Sequence, residues 1–274
     1  MTSDTGKPAD DGFRPALTYQ SYLRVPELLS LQQPVSDGPE HDEMLFIIIH
    51  QSYELWFKQL LHEFVQAQAA LELGSTFDAL PLLGRIRTIL KICVSQVDIL
   101  ETMTPLQFMS FRGRLESASG FQSAQFRQVE AVLGRRGNAM VSHLPPESPE
   151  RAAIARVMRS RSVWDSFLVY LSTLGYAIPE DLLHRDFSVA YVPNVQVQSI
   201  LLDVHRGHEV AAMLCERLID IDEGLQEWRY RHVKMVERTI GHKTGTGGSN
   251  GVDYLASTLG RPVFPDLWEI RSQF

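Results

Sequence analysis

From Leu45 to Leu73 the chain is apolar at most helical positions: Phe46, His50, Tyr53 and Phe57 follow i, i+4, i+7 and i+11 on one face, and Leu45, Ile49 and Trp56 line the face beside it. His41-Asp42-Glu43 opens this run with acidic residues that complement a helix N-terminus, and Gly74 with Ser75 ends it. A helix apolar over so much of its circumference belongs inside a larger protein. A second helical pattern covers Phe77 to Met103, with Leu82, Ile86, Ile89, Leu90, Cys93, Val97 and Leu100 on one stripe, and the short joint makes the pair antiparallel. Thr104-Pro105 opens a short helix through Phe111-Arg112, and the Ser/Gly-rich stretch from Gly113 to Ser123 leads to another near Gln125 to Leu133. Gly134 to Pro149 reads as a surface loop. Helices are predicted from Ser148 to about Gly175, from Val195 to Glu223, from Gln226 to Ile240 and from Asp253 to Leu259. Almost nothing alternates with period two, so the class is all-α. No repeat and no linker divides it. The expectation is one large helical domain over residues 16–274 with long antiparallel core helices, behind a disordered polar tail at 1–15.

Composition narrows the partners. With 274 residues, 44% of them hydrophobic, the chain can bury a substantial core and an enclosed site. A net charge of -7 argues against nucleic acid, which selects for a basic excess or stripe, and favours small molecules or proteins. Cys93 and Cys215 sit in apolar helical surroundings without C-x-x-C spacing, and so read as buried thiols suited to a reducing cytoplasm. The N-terminus has no basic segment leading into an apolar one, and no stretch approaches the roughly 20 apolar residues that cross a bilayer. A cytoplasmic protein without membrane contact is expected.

Two histidines carry the candidate chemistry. His50 lies among aromatics in the first long helix. His232, with Met235, Val236 and Thr239, forms an inward stripe of a later one, with Arg229, Arg231 and Lys234 taking other directions. Each fits an ordinary core histidine satisfied by a backbone carbonyl, or one side of a pocket in which one imidazole ligates a metal or haem iron and the other lines the open face. A competing metal cluster of His205, His208 and Glu209 has suitable spacing and no other support. No glutamate has a histidine three residues later, which disfavours a di-iron carboxylate bundle. His41, His62, His143, His184 and His242 lie in charged or loop-like sequence and read as surface residues. The glycine-rich loop Gly245 to Gly251 lacks a phosphate loop's ending and follows a helix; it either terminates that helix or closes over a ligand with Thr246. Arg112, in FMSFRG, has the fork geometry for a carboxylate of a substrate or of a neighbouring side chain.

Taken in order, LTYxxYL, FIIIHQSYELWFKQ, FxxFR followed by SGFQS, WRYRH, and GTGGSNG with Tyr254-Leu255 just after resemble the tryptophan 2,3-dioxygenase family from about Leu17 to Leu259. Its members are haem b enzymes that open the indole ring of L-tryptophan with O2 to give N-formylkynurenine. The resemblance implies a haem pocket enclosed by the long helices, one haem b per subunit, His232 as its axial ligand and His50 as the distal histidine. It further implies that Phe46 and Phe108 pack the indole, Arg112 holds the substrate carboxylate, Thr246 meets the ammonium and carboxylate end, and Ser119 lies near the distal face. Tyr19, Tyr22 and Leu23 match a segment that, in this family, reaches into the active site of a neighbouring subunit of a homotetramer. Some members carry tyrosine where this chain has Phe108, so any role of that hydroxyl is absent here.

Overall fold

The computed structural model describes residues 16–38, 40–116, 120–243 and 252–274, so Ser119, Thr246 and the 1–15 tail lie outside the described residues. Two short helices, α1 (Tyr19–Leu23) and α2 (Val25–Leu28), come first and bury none of their residues. α3 (His41–Glu72), at 32 residues, is roughly 48 Å long. Glu43, in its first turn, is buried and accepts the Val35 and Ser36 N–H groups at 2.7 and 3.2 Å, tying the incoming segment to the helix. α3 ends at Gly74, whose φ of +72° and close approach to the Thr173 hydroxyl leave no room for a side chain. α4 (Thr76–Leu100) returns antiparallel, as its spacing predicts. Then come α5 (Pro105–Arg112), opened by a capping box between Thr104 and Gln107, and α6 (Ala124–Val132).

Three stretches depart from the sequence expectation. Gly134 to Pro149 is not a plain surface loop: it makes a 3-10 turn at Asn138–Met140 and buries Met140 and Val141 in a small cluster with Ala131 and Ile154, which leaves His143 half-buried. The helix predicted from Ser148 to Gly175 is two, α7 (Pro149–Met158) and α8 (Val163–Thr173), because Ser162 and Asp165 form a capping box that starts a new helix. After the short α9 (Glu180–Leu183), the break predicted near Gly224 instead falls at His208, between α10 (Val195–Gly207) and the 32-residue α11 (Glu209–Ile240). The His208 ring caps α11 by accepting the Ala211 N–H at 3.2 Å, while Gly224 sits within the helix, where an added Cβ would lie 3.5 Å from Leu90. The chain closes with α12 (Val252–Ala256), α13 (Pro265–Glu269) and a 3-10 turn at Ile270–Gln273.

α4 packs against both α3 and α11, and α8 and α6 cover the other side of α3. The main core runs along these contacts, with Leu60, Phe64, Leu83, Ile86, Trp164, Phe167, Leu214 and Leu218 almost fully enclosed. A smaller cluster of Ile49, Leu100, Met103 and Phe111, with Phe46 and Phe108 against it, joins α5 to the N-terminal half of α3. Cys93 and Cys215 are free and buried, and burial pushes both thiols up to about 12, so they stay protonated. Among the described residues there is no strand, and no helix is long and apolar enough to cross a membrane.

Candidate active site

Between α3, α5, α6 and α11 lies a cavity that opens to solvent. α3 contributes Phe46, His50, Tyr53 and Phe57, the face read from its spacing, and α5 adds Phe108 and Arg112. α6 supplies Phe126, Arg127 and Glu130, and α11 supplies Trp228, Arg229, His232, Met235 and Thr239. His50 and His232 therefore line the same cavity from separate helices.

The His50 ring has two different sides. Its Nδ1 donates to the Phe46 carbonyl at 2.7 Å, which assigns the proton to that nitrogen because a carbonyl only accepts. Nε2 is left as an acceptor, and the Gly120 backbone lies beside it: a Cβ on Gly120 would stand 3.6 Å away. Burial lowers the His50 pKa, against a smaller upward pull from the Phe46 carbonyl and Glu54, so the ring is neutral. Phe46 packs on it with ring centroids 4.1 Å apart. Phe46 also meets Phe108 at 5.8 Å and Phe111 at 5.7 Å, giving an aromatic wall shaped for a flat apolar ring.

His232 faces the cavity from α11. Trp228, one turn earlier, stacks almost parallel to it, 5.1 Å between centroids and 5° between planes. Trp228 is itself held by Phe126 at 4.5 Å and by the edges of Tyr53 and Phe57. Burial, with smaller contributions from His50 and Arg127, lowers the His232 pKa to about 4, so this imidazole is neutral as well. Among the described residues no protein group hydrogen-bonds to either of its nitrogens. A buried neutral imidazole facing open space has the donor chemistry for one axial position of a metal.

The other sequence candidates divide clearly. Phe46, Phe108 and Arg112 come together at the cavity. Tyr19, Tyr22 and Leu23 do not enter the cavity of their own chain and are 73%, 72% and 45% exposed. His205 and His208 form no joint site: His205 bonds the Leu201 carbonyl and Glu216, and His208 caps α11. Among the described residues, no group of three or more His, Cys, Asp or Glu side chains is placed to hold a bare metal ion.

Arg229 is a correction. Its charge suggests an outward direction, yet it is 5% exposed and lines the cavity, where Glu130 receives it at 2.8 Å. Its position three residues before His232, on the same helix face, is the signal that places it inward. Sequence reasoning also missed Trp228, one turn from His232, and Gly120.

A family model described as tryptophan 2,3-dioxygenase matches residues 4–144 and 161–274. The tryptophan 2,3-dioxygenase of Herpetosiphon aurantiacus is 57% identical over 257 residues, covering 94% of this chain and 98% of that protein. The protein of the same name from Anaeromyxobacter sp. (strain K) is 57% identical over 93% of this chain and 96% of its own, and that of Caulobacter vibrioides is 43% identical over 94% and 98%.

Proposed function

Because the chain belongs to the tryptophan 2,3-dioxygenase family, we infer that it is an oxidoreductase that inserts O2 across the indole C2–C3 bond of L-tryptophan, giving N-formylkynurenine in the first step of tryptophan degradation. The observation that carries this reading, beyond the family, is the pair of neutral histidines on one aromatic-walled cavity, one hydrogen-bonded at Nδ1 and the other without a protein partner among the described residues.

The cavity fits haem b. His232, with its neutral imidazole turned into the cavity, would hold the haem iron, and Phe126 and Trp228 would provide apolar surface beside it. When bound, haem supplies the O2 chemistry, and the protein supplies binding and orientation. The Phe46 and Phe108 rings take the indole. His50 accepts the indole N–H at Nε2, because its own proton is committed to the Phe46 carbonyl. That makes His50 a positioning group that fixes which edge of the indole is presented. Arg112 binds the substrate carboxylate, and Thr246, with Ser119 near the distal face, completes the polar end. Trp228 keeps the His232 plane from rotating. The exposed aromatics of α1 favour a homotetramer in which Tyr19, Tyr22 and Leu23 complete a neighbour's pocket. The two reduced thiols accord with a cytoplasmic setting.

Absorption spectra of the ferrous protein, recorded before and after L-tryptophan and then O2, test the reading with product followed in the same cuvette. A five-coordinate haem spectrum perturbed by tryptophan, followed by N-formylkynurenine, is expected. A colourless protein, or a bis-histidine spectrum without turnover, would overturn it.

A further inference from the structure

Among the described residues two carboxylates line the cavity, and they are held differently. Glu130, on α6, is shared by three arginines: it accepts Arg127 and Arg135 at 2.7 Å each and Arg229 at 2.8 Å, which clamps α6 to α11. Glu54, half-buried on α3, makes no ion pair among the described residues. An uncharged group holds it instead: the side-chain amide of Gln125, on α6, donates to the Glu54 carboxylate at 2.7 Å and to the Glu54 backbone carbonyl at 2.9 Å.

Glu54 follows His50 by four residues, so the two side chains are neighbours on one face of α3, with Cβ atoms about 5–6 Å apart. Both reach the cavity, and Gln125 fixes the carboxylate there. A fixed negative charge at that range raises the proton affinity of an imidazole: Glu54 pulls the His50 pKa upward, against the larger downward effect of burial. The other charged or titratable groups on the cavity wall are Arg112 on α5, Arg127, Glu130 and Arg135 on α6 and just after it, and Arg229 and His232 on α11. Among the described residues, Glu54 is thus the cavity carboxylate whose field no guanidinium takes up.

We propose that Glu54, held by Gln125, is a positioning residue that acts through His50: its charge strengthens Nε2 as an acceptor and so favours a substrate ring that carries an N–H donor. The proposal rests on the reading above in which His50 receives the indole N–H. With the Nδ1 proton committed to the Phe46 carbonyl, Nε2 is the nitrogen on which the added electron density tells. Gln125 has a supporting part, since an amide donor orients the carboxylate without neutralising it. The bridge also joins α3 to α6, so the distance from the charge to the ring is set by helix packing.

Haem-loaded full-length protein and its Glu54→Gln variant are titrated with L-tryptophan and with its benzofuran analogue, which keeps the ring shape but has oxygen in place of the N–H. The substitution preserves side-chain size and a carbonyl oxygen for the Gln125 amide, and circular dichroism monitors the fold. L-Tryptophan is expected to bind the variant about threefold or more weakly, and the benzofuran within about twofold of the wild-type value. The acid limb of L-tryptophan affinity gives a second readout. Protonation of His50 removes the acceptor and Glu54 favours protonation, so the loss on acidification should come at lower pH in the variant than in the wild-type protein. Equal weakening of both ligands, the mark of a general disturbance, would overturn the proposal, as would unchanged L-tryptophan affinity or an acid limb that does not move. Wild-type protein with no preference for L-tryptophan over the benzofuran would instead sink the reading of His50 as the indole acceptor.

Discussion

At the scale of single residues, His50 meets two descriptions that its sequence setting offers as alternatives. It is a core histidine satisfied by a backbone carbonyl, and it is also a pocket residue, because only one of its nitrogens is spent. For Arg112 the proposed role is simpler, pairing with a substrate carboxylate. Arg112→Met is expected to weaken L-tryptophan binding about 10-fold to 100-fold while haem content stays the same, the loss of a charge-assisted bidentate partner. Titrations with L-tryptophan and with tryptamine check this: the wild-type protein should prefer the acid strongly, and the variant should lose that preference. The aromatic and histidine positions of the site were legible in the sequence because helical spacing alone puts Phe46, His50 and Tyr53 on one face. Arg229 was not, because charge normally points outward and the carboxylate that lets it turn inward, Glu130, is 99 residues away in the chain.

At the scale of elements, the helices were readable and their ends less so. Periodicity identifies α3, α4 and the C-terminal half of α11, whereas caps decide where α8 and α11 begin, and those depend on one or two side chains. Ser162 shows how local the decision is: its hydroxyl accepts the Asp165 N–H, and Asp165 in turn accepts the Ser162 N–H and the Arg185 fork. Ser162→Ala should cost about 1–2 kcal/mol, read as a lower urea midpoint with an unchanged slope. Gly224 misleads in the opposite way, since a residue that commonly ends helices sits here inside one, facing Leu90 of α4.

The Glu130 clamp between α6 and α11 gives the fold a pH dependence. Burial opposes the charged carboxylate, but Arg127, Arg135 and Arg229 outweigh it and hold the pKa below its ordinary value of 4.5. A depressed folded-state value means that the contribution is fully present above 4.5 and is lost as the pH falls through the folded value. Glu130→Gln should lower stability by about 3–5 kcal/mol near neutrality and flatten the acid limb, measured as urea midpoints from about pH 7 to about pH 3. An acid limb as steep as that of the wild-type protein would show that other carboxylates control it.

At the scale of the whole molecule, the N-terminal segment is the part whose packing its own chain does not explain. Leu17, Tyr19, Tyr22, Leu29 and Leu31 are all more than half exposed, although α1 has a complete capping box and α2 starts with Pro26 in its first turn. Local sequence specifies the two turns, and their apolar faces are left exposed. Deleting residues 1–23 should therefore leave the helical fold and its melting temperature nearly unchanged while reducing turnover at least about tenfold. Circular dichroism and a product assay at matched haem loading check the two halves of that expectation.

Since α1 buries none of its residues among the described residues of its own chain, the proposed arm and the pocket should be separable. A His232→Ala chain would keep a serviceable arm beside a dead pocket, and a chain lacking residues 1–23 would keep a sound pocket with no arm. Co-expressed, the two inactive polypeptides should restore activity, each mixed oligomer working only in the sound pockets that the other chain's arm reaches.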